Sequence, residues 1–295
     1  MGMRYTNSIV FIIRKGESML EAINKKELKV IEILSIAMHL FTKNLKSIMV
    51  VVAMFFFPIS ILNALIMEKL SNSLVLIKNF MDTGVITENL PGYTAVMLNF
   101  IENNLLQMAV LLFLEPIGVI AIAKITKSHL YSEQMNVKEA IGEAINCLWS
   151  VIITGIPGMI LIFLGCLLFF IPGIYLGIIW TFYVYAIALR GKKGWKALEY
   201  SKKLTKGKFW KTIGLLIVIS FIAAGWNWVF SGVYLFLPQQ IGTDILYTVL
   251  TYISGSFSYI AMTVLFMNRE TFLLGETYGS VAYVSGSTVN EDEKE

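Results

Sequence analysis

Charge is scarce in this chain. Asp, Glu, Lys and Arg supply 15% of its 295 residues, 56% are hydrophobic, and the mean hydropathy is +0.69. A soluble domain of this length needs far more polar surface, so that class is excluded. Histidine and cysteine are scarcer still, with two of each. His39 and His129 stand alone and read as interfacial helix residues, and no metal-ligand spacing exists. Cys147 and Cys166 belong to one apolar helix, where a rise of about 1.5 Å per residue sets them too far apart for a disulfide. No Ser or Cys sits in a nucleophile elbow with a histidine placed to activate it. No Gly-Lys-Ser/Thr phosphate loop is present. Neither metal nor cofactor is expected, and the chain reads as a non-enzyme.

Long apolar runs are abundant. They fall at about 47–67, 105–123, 148–169, 172–189, 212–236 and 245–267, each near the roughly 20 residues that cross a bilayer. Backbone polar groups in lipid must be satisfied internally, which makes these runs helices. The expected fold is all-α, a polytopic integral membrane bundle of six transmembrane helices with cytoplasmic interfacial amphipathic helices. Placing both termini in the cytoplasm puts 22 of the Lys and Arg residues inside and leaves Lys69 and Lys78 outside.

The same patterns divide the chain. Lys15-Gly16-Glu17 is what a purine-rich ribosome-binding site would encode, with Met19 at a suitable distance. The apolar run Ile9–Ile13 is too short for a signal peptide's core, so residues 1–18 read as upstream sequence and Met19 as the start. Residues 19–46 form a cytoplasmic amphipathic helix, 47–274 the six-span domain, and 275–295 a disordered cytoplasmic tail. Amphipathic stretches precede the odd-numbered spans. Ile31, Leu34, Met38, Phe41 and Leu45 mark the first. Val137, Ile141, Ala144, Ile145 and Leu148 mark the second, and Trp195, Leu198 and Phe209 the third. Two readings fit them: three repeats of an interfacial helix plus a hairpin, or the ordinary look of helices entering a membrane. The external loop 68–104 carries a break at Pro91-Gly92 and a helix around 72–80. Ile171-Pro172-Gly173 reads as a tight external hairpin, and Gly155-Ile156-Pro157-Gly158 as a break in the third span. Pro116, Pro157, Gly158, Pro172 and Gly173 are thus the structural punctuation of the spans.

Positive charge concentrates between the fourth and fifth spans. Arg190, Lys192, Lys193, Lys196, Lys202, Lys203, Lys206, Lys208 and Lys211 lie there, and only Glu199 opposes them locally. Topology alone requires fewer cations. Lys192, Lys193, Lys196, Lys202, Lys203, Lys206, Lys208 and Trp210 are candidate contacts for anionic lipid headgroups. Membrane lipids are the expected partners, with a protein in a membrane complex as the other class. Nucleic acid is not expected, because the loop is pinned at a lipid surface.

Three polar residues lie deep in the spans. Glu115 precedes Pro116 mid-span, where a carboxylate is costly and commonly marks a pathway. It reads either as a protonatable group on a substrate route or as a carboxyl bonding carbonyls left free by Pro116. Asn63 and Asn227 read as interhelical hydrogen-bonding groups. Convergence of all three would make an intramembrane polar site.

Phe170-Ile171-Pro172-Gly173-Ile174-Tyr175-Leu176, Trp195-Lys196-Ala197-Leu198-Glu199-Tyr200-Ser201 and Leu204-Thr205-Lys206-Gly207-Lys208-Phe209-Trp210 form a series. It resembles the bacterial family named after the membrane domain of glycerophosphoryl diester phosphodiesterase. Leu114-Glu115-Pro116-Ile117-Gly118 is similar to that family's second span. The likeness is strongest over 165–216. It implies an all-helical integral module of the bacterial inner membrane. It implies no hydrolase, because the chain has no room for the barrel and lacks the metal-binding acidic and histidine cluster. The expected role is a lipid-interacting membrane protein that supports envelope integrity or a complex. The alternative is a transporter or exporter permease subunit for a lipid or an antimicrobial peptide.

Overall fold

A computed structural model describes residues 23–24, 27–83, 90–131, 133, 135–238 and 240–274. The expectations for 1–18 and 275–295 lie outside the described residues. Among the described residues every regular element is helical, and six helices or helix pairs are long and apolar enough to cross a membrane. The chain is a multi-pass helical membrane protein, as its hydropathy predicts.

The helix α1, Val30–Lys43, begins where Glu32 accepts the Lys29 N–H at 2.8 Å. That bond satisfies a donor the helix start would otherwise leave open. The first span is α2 (Leu45–Val51), a π-helical turn over Val52–Phe56, and α3 (Phe57–Thr83). The π turn sits just before Pro58, which has no N–H to return to the preceding turn. The separate loop helix expected around 72–80 is instead the continuation of α3, so the first span runs on well past Met67. The second span is two helices, α4 (Leu90–Phe113) and α5 (Glu115–Leu130), joined at Leu114. Pro116 falls in the first turn of α5, where a missing N–H costs nothing. Pro91-Gly92 fall in the first turn of α4 rather than breaking a loop.

The third span corrects two expectations. Helix α6, Val137–Leu168, runs unbroken through Pro157, so Gly155-Ile156-Pro157-Gly158 is not a break. Gly155 serves packing, because a Cβ there would meet the Tyr183 hydroxyl at 2.9 Å. The second amphipathic stretch is the opening of α6, not a separate interfacial helix. Only the first and third stretches stand as separate helices, so a threefold repeat of that unit is not formed.

The hairpin to the fourth span also differs. It turns at Phe169 in extended geometry (φ −152°, ψ 130°), and Pro172-Gly173 lie inside the first turn of α7, Phe170–Ile179. Gly173 is there for contact: a Cβ would sit 2.0 Å from Cys166 Sγ and 2.6 Å from the Cys166 nitrogen. Cys166 and Cys147 are both free thiols.

The fourth span breaks again after α7, and α8 covers Tyr183–Arg190. Helix α9, Trp195–Thr205, then lies across this end of the bundle. Helix α10 (Phe209–Tyr234) crosses to the far end, and α11 (Ile241–Arg269) returns into a π-helical turn over Glu270–Leu274. Helix α11 is the hub of the core, packed on α1, α3, α5 and α10. The Phe56 ring stacks on Tyr252 at 4.5 Å, and a Cβ at Gly118 would strike that Phe56 ring at 2.3 Å.

Helix α1 turns the expected stripe only partly inward. Leu34 and Phe41 pack on the core beside the buried Ile33, Ile36, Ala37 and Leu40, whereas Ile31 and Met38, and Leu45 at the start of α2, point away from it. The helix is apolar on two sides, one for protein and one for lipid, and hydrophobic spacing alone does not say which faces inward.

Candidate functional site

The candidate surface is the lysine-rich end formed by α9. Gly191 ends α8 in the left-handed conformation (φ 63°), with its N–H donating to the Ile187 carbonyl at 3.0 Å and the Lys192 N–H reaching Ala186 at 3.2 Å. That cap turns the chain so that α9 folds back. Ala197, Leu198, Ser201, Leu204 and Thr205 then face the bundle. Ser201 closes the break between α7 and α8: its hydroxyl accepts from the Phe182 N–H at 3.0 Å and donates to the Ile179 carbonyl at 2.8 Å. Thr154 of α6 accepts the Gly194 N–H at 2.9 Å and fixes the start of α9.

With that face buried, helical geometry sends Lys196, Lys202 and Lys203 outward, and the chain on either side of α9 adds three more. Lys192, Lys193, Lys196, Lys202, Lys203 and Lys206 are all exposed. Trp195 and Trp210 flank them, 63% and 81% exposed. Lys203 pairs with Glu199 one turn away at 3.1 Å, and Lys192 Nζ lies 5.6 Å from the centre of the Tyr200 ring.

Three of the nine cations are otherwise engaged. Lys208 and Lys211 each donate to Glu27 at 2.8 Å, and Arg190 Nε donates to Glu270 at 3.0 Å. Glu199 is therefore not the only acid opposing the basic segment, and Lys208 and Lys211 together clamp the segment before α1. The two ammonium groups hold the Glu27 carboxyl down to about 2, so the clamp is ionised at physiological pH.

Beneath α9 lies a buried polar hub at the end of α11. Asn268 accepts the Leu28 N–H at 3.0 Å and donates to the Ile23 carbonyl at 2.8 Å. Arg269, 2% exposed, donates to the Leu204 and Lys208 carbonyls at 3.0 and 3.3 Å and to Thr212 Oγ1 at 3.0 Å. The Leu204 carbonyl lies in the last turn of α9, where helical partners run out, and the Lys208 carbonyl, at the N-cap of α10, also accepts the Thr212 N–H at 3.0 Å. Glu270 is fully buried, and its Oε1 also accepts from the Tyr200 hydroxyl. Thr271 donates to Asn24 at 3.2 Å. Charged groups are rarely buried this deeply unless paired. The hub ties the chain before α1 to α8, α9 and α10, and it fixes how α9 presents its lysines. Sequence reading counted Arg269 only as one more topological charge. The available signal was Asn268-Arg269-Glu270-Thr271 continuing in helical phase from an apolar run.

The deep polar residues divide into two places. Glu115, at the joint of α4 and α5, accepts from the Tyr259 hydroxyl at 3.1 Å. Its partner is a side chain, not the backbone carbonyls freed by Pro116. Asn63 lies beside the Tyr252 hydroxyl, about two helical turns before Tyr259 on α11. Asn227 instead accepts from Thr251 at 3.2 Å. Asn63 and Glu115 thus approach the same stretch of α11, and Asn227 joins α10 to α11 separately. Among the described residues no three His, Cys, Asp or Glu side chains gather as metal ligands would.

The family model described as "Domain of unknown function (DUF7847)" matches residues 83–280. The chain belongs to the DUF7847 family. The matched DUF7847 region contains α4 through α11, including α9 and the hub residues of α11, while the hub's partners before α1 lie outside it. It carries no link to the glycerophosphoryl diester phosphodiesterase membrane family, so that resemblance rests on the residues quoted for it alone. No curated protein and no solved structure matches the chain.

Proposed function

We propose that this DUF7847 protein is a non-enzymatic multi-pass protein of the bacterial inner membrane. It would dock anionic lipid headgroups on α9 and thereby support envelope integrity or a membrane complex, with the lysine-rich end in the cytoplasm. One observation carries the reading. Helix α9 is anchored by its apolar face and by Ser201, while Lys196, Lys202, Lys203 and Trp195 on it, and Lys192, Lys193, Lys206 and Trp210 in the flanking chain, stand exposed. Lysine near an anionic surface contributes about 1 kcal/mol, and tryptophan suits the headgroup level. The likeness over 165–216 to the glycerophosphoryl diester phosphodiesterase membrane domain covers this same region, and we read it as a shared membrane module without hydrolase activity.

The test is a variant with Lys192, Lys196, Lys202 and Lys206 changed to Gln, assayed for lipid selectivity in nanodiscs. Preference for phosphatidylglycerol over phosphatidylcholine is expected to fall at least about tenfold, after screening is allowed for. Labelling of single cysteines must show unchanged orientation. Unaltered selectivity together with unaltered cell phenotype would remove the proposal.

A second reading, a transporter or exporter permease subunit for a lipid or an antimicrobial peptide, draws on the Glu115–Tyr259 bond inside the bundle. Intramembrane carboxylates commonly line substrate or proton routes. On this reading Glu115→Gln abolishes the function scored by complementing a deletion strain while membrane abundance stays at the wild-type level. Full complementation by that variant would leave only a packing role for Glu115.

A further inference from the structure

At the end of the bundle opposite α9, a cleft of about 530 Å³ opens between α3 and the α10–α11 hairpin. We propose that this cleft binds an alkylammonium group, belonging either to an aminophospholipid headgroup or to a small soluble amine. The inference is independent of the lipid surface proposed for α9, because it concerns the other end of the molecule and the opposite charge.

The lining determines the class of ligand. Glu68 from α3 and Asp244 from α11 face the cleft, and among the described residues no Lys, Arg or His lines it. An anion would meet two carboxylates and no counter-charge. An apolar ligand would strip water from those carboxylates and from the amides of Asn63 and Gln240 without replacing their hydrogen bonds. In the lining the Asn63 Oδ1 is buried and, among the described residues, accepts no hydrogen bond, although its side chain lies beside the Tyr252 hydroxyl. The site therefore presents acceptors, and an ammonium group has three donors and no acceptor.

Aromatic groups add to this. The Tyr234 and Tyr247 rings lie 5.3 Å apart at 48° beside Asp244, whose carboxylate accepts from the Tyr234 hydroxyl. Ring faces next to a carboxylate favour a cation. The volume lies within the range of small-molecule sites. Met67 and Ile241 give the rim an exposed apolar edge, which suits a ligand entering from the lipid side.

The experiment uses the full chain in detergent micelles. Native mass spectrometry reads retention of phosphatidylethanolamine against phosphatidylglycerol, and calorimetry reads binding of free ethanolamine. The wild type is expected to bind at least one of the two amines and to prefer phosphatidylethanolamine over the amine-free lipid if the source is the headgroup. Binding of ethanolamine alone would assign the site to a soluble amine.

The Glu68→Gln/Asp244→Asn variant should weaken binding at least tenfold. Glu102→Gln, a charge-matched change beside the cleft but outside its lining, should stay within twofold. Should the double variant fail to fold, Glu68→Gln alone decides. It lies on the exposed side of α3, leaves the Tyr234–Asp244 bond intact, and should weaken binding at least threefold. Absence of amine binding by the wild type, equal retention of both lipids with no ethanolamine binding, or cleft variants that bind like wild type would overturn the proposal.

Discussion

Replacing Arg190 with Met is expected to lower the melting temperature by about 10 °C. Glu270 is fully buried and takes hydrogen bonds from the Arg190 guanidinium and the Tyr200 hydroxyl. Removing the guanidinium leaves a buried carboxylate without its principal counter-charge, a loss of about 3–5 kcal/mol. For a domain of this size each kcal/mol shifts the midpoint by roughly 2–4 °C. The reciprocal change should be milder. The Arg190 side chain is 26% exposed and can turn toward water once Glu270 is gone. Glu270→Met should therefore cost less than Arg190→Met, and the pair of changes together less than their sum. Fluorescence-detected size-exclusion chromatography after graded heating reads all three. An Arg190→Met protein melting within 2 °C of wild type would show that the pair does not hold the hub.

The second large effect is expected at the tightest helix contact. Gly173→Ala places a Cβ at 2.6 Å from the Cys166 nitrogen and 2.9 Å from its Cα, besides the sulfur at 2.0 Å. The thiol can rotate away, but the backbone cannot. Helices α6 and α7 must separate, at a cost of about 3 kcal/mol or more. Gly177, one turn further along α7, has nothing within 4 Å of its Cβ position. Gly177→Ala should be neutral or stabilising by up to about 1 kcal/mol, since alanine is the better helix former. The opposite signs at two glycines of one helix are the check. Cys166→Ala in the Gly173→Ala background should restore only part of the loss.

These two effects also mark what the residue pattern discloses. The six spans were legible because burial in hydrocarbon is a summed property of a window of residues, which composition reports directly. The exposure of the α9 lysines was legible for a related reason, since Ala197, Leu198, Ser201 and Leu204 share one helical face. Partners were not legible. Glu270 lies 80 positions from Arg190 and 70 from Tyr200, and nothing local in the chain relates them. Proline misled at Pro172 and Pro157, because proline is equally at home in a turn and in the first turn of a helix, and an apolar helix in lipid runs through it. Of the intramembrane residues, the depth of Glu115 was readable, but its bond to Tyr259 depends on how α5 meets α11. The cleft residue Glu68 lay in what the pattern presents as a loop, and it gained its setting only because α3 continues outward.

The turn at Phe169 has a consequence for biogenesis. Leu167, Leu168, Phe169, Phe170 and Ile171 form its tip, all apolar and exposed. A loop between two spans ordinarily drags polar residues through hydrocarbon before it reaches water on the far side. Here there is no hydrophilic cargo to translocate. The third and fourth spans can insert together as one wedge, held where a Cβ on Gly165 would lie 3.1 Å from the Gly173 backbone.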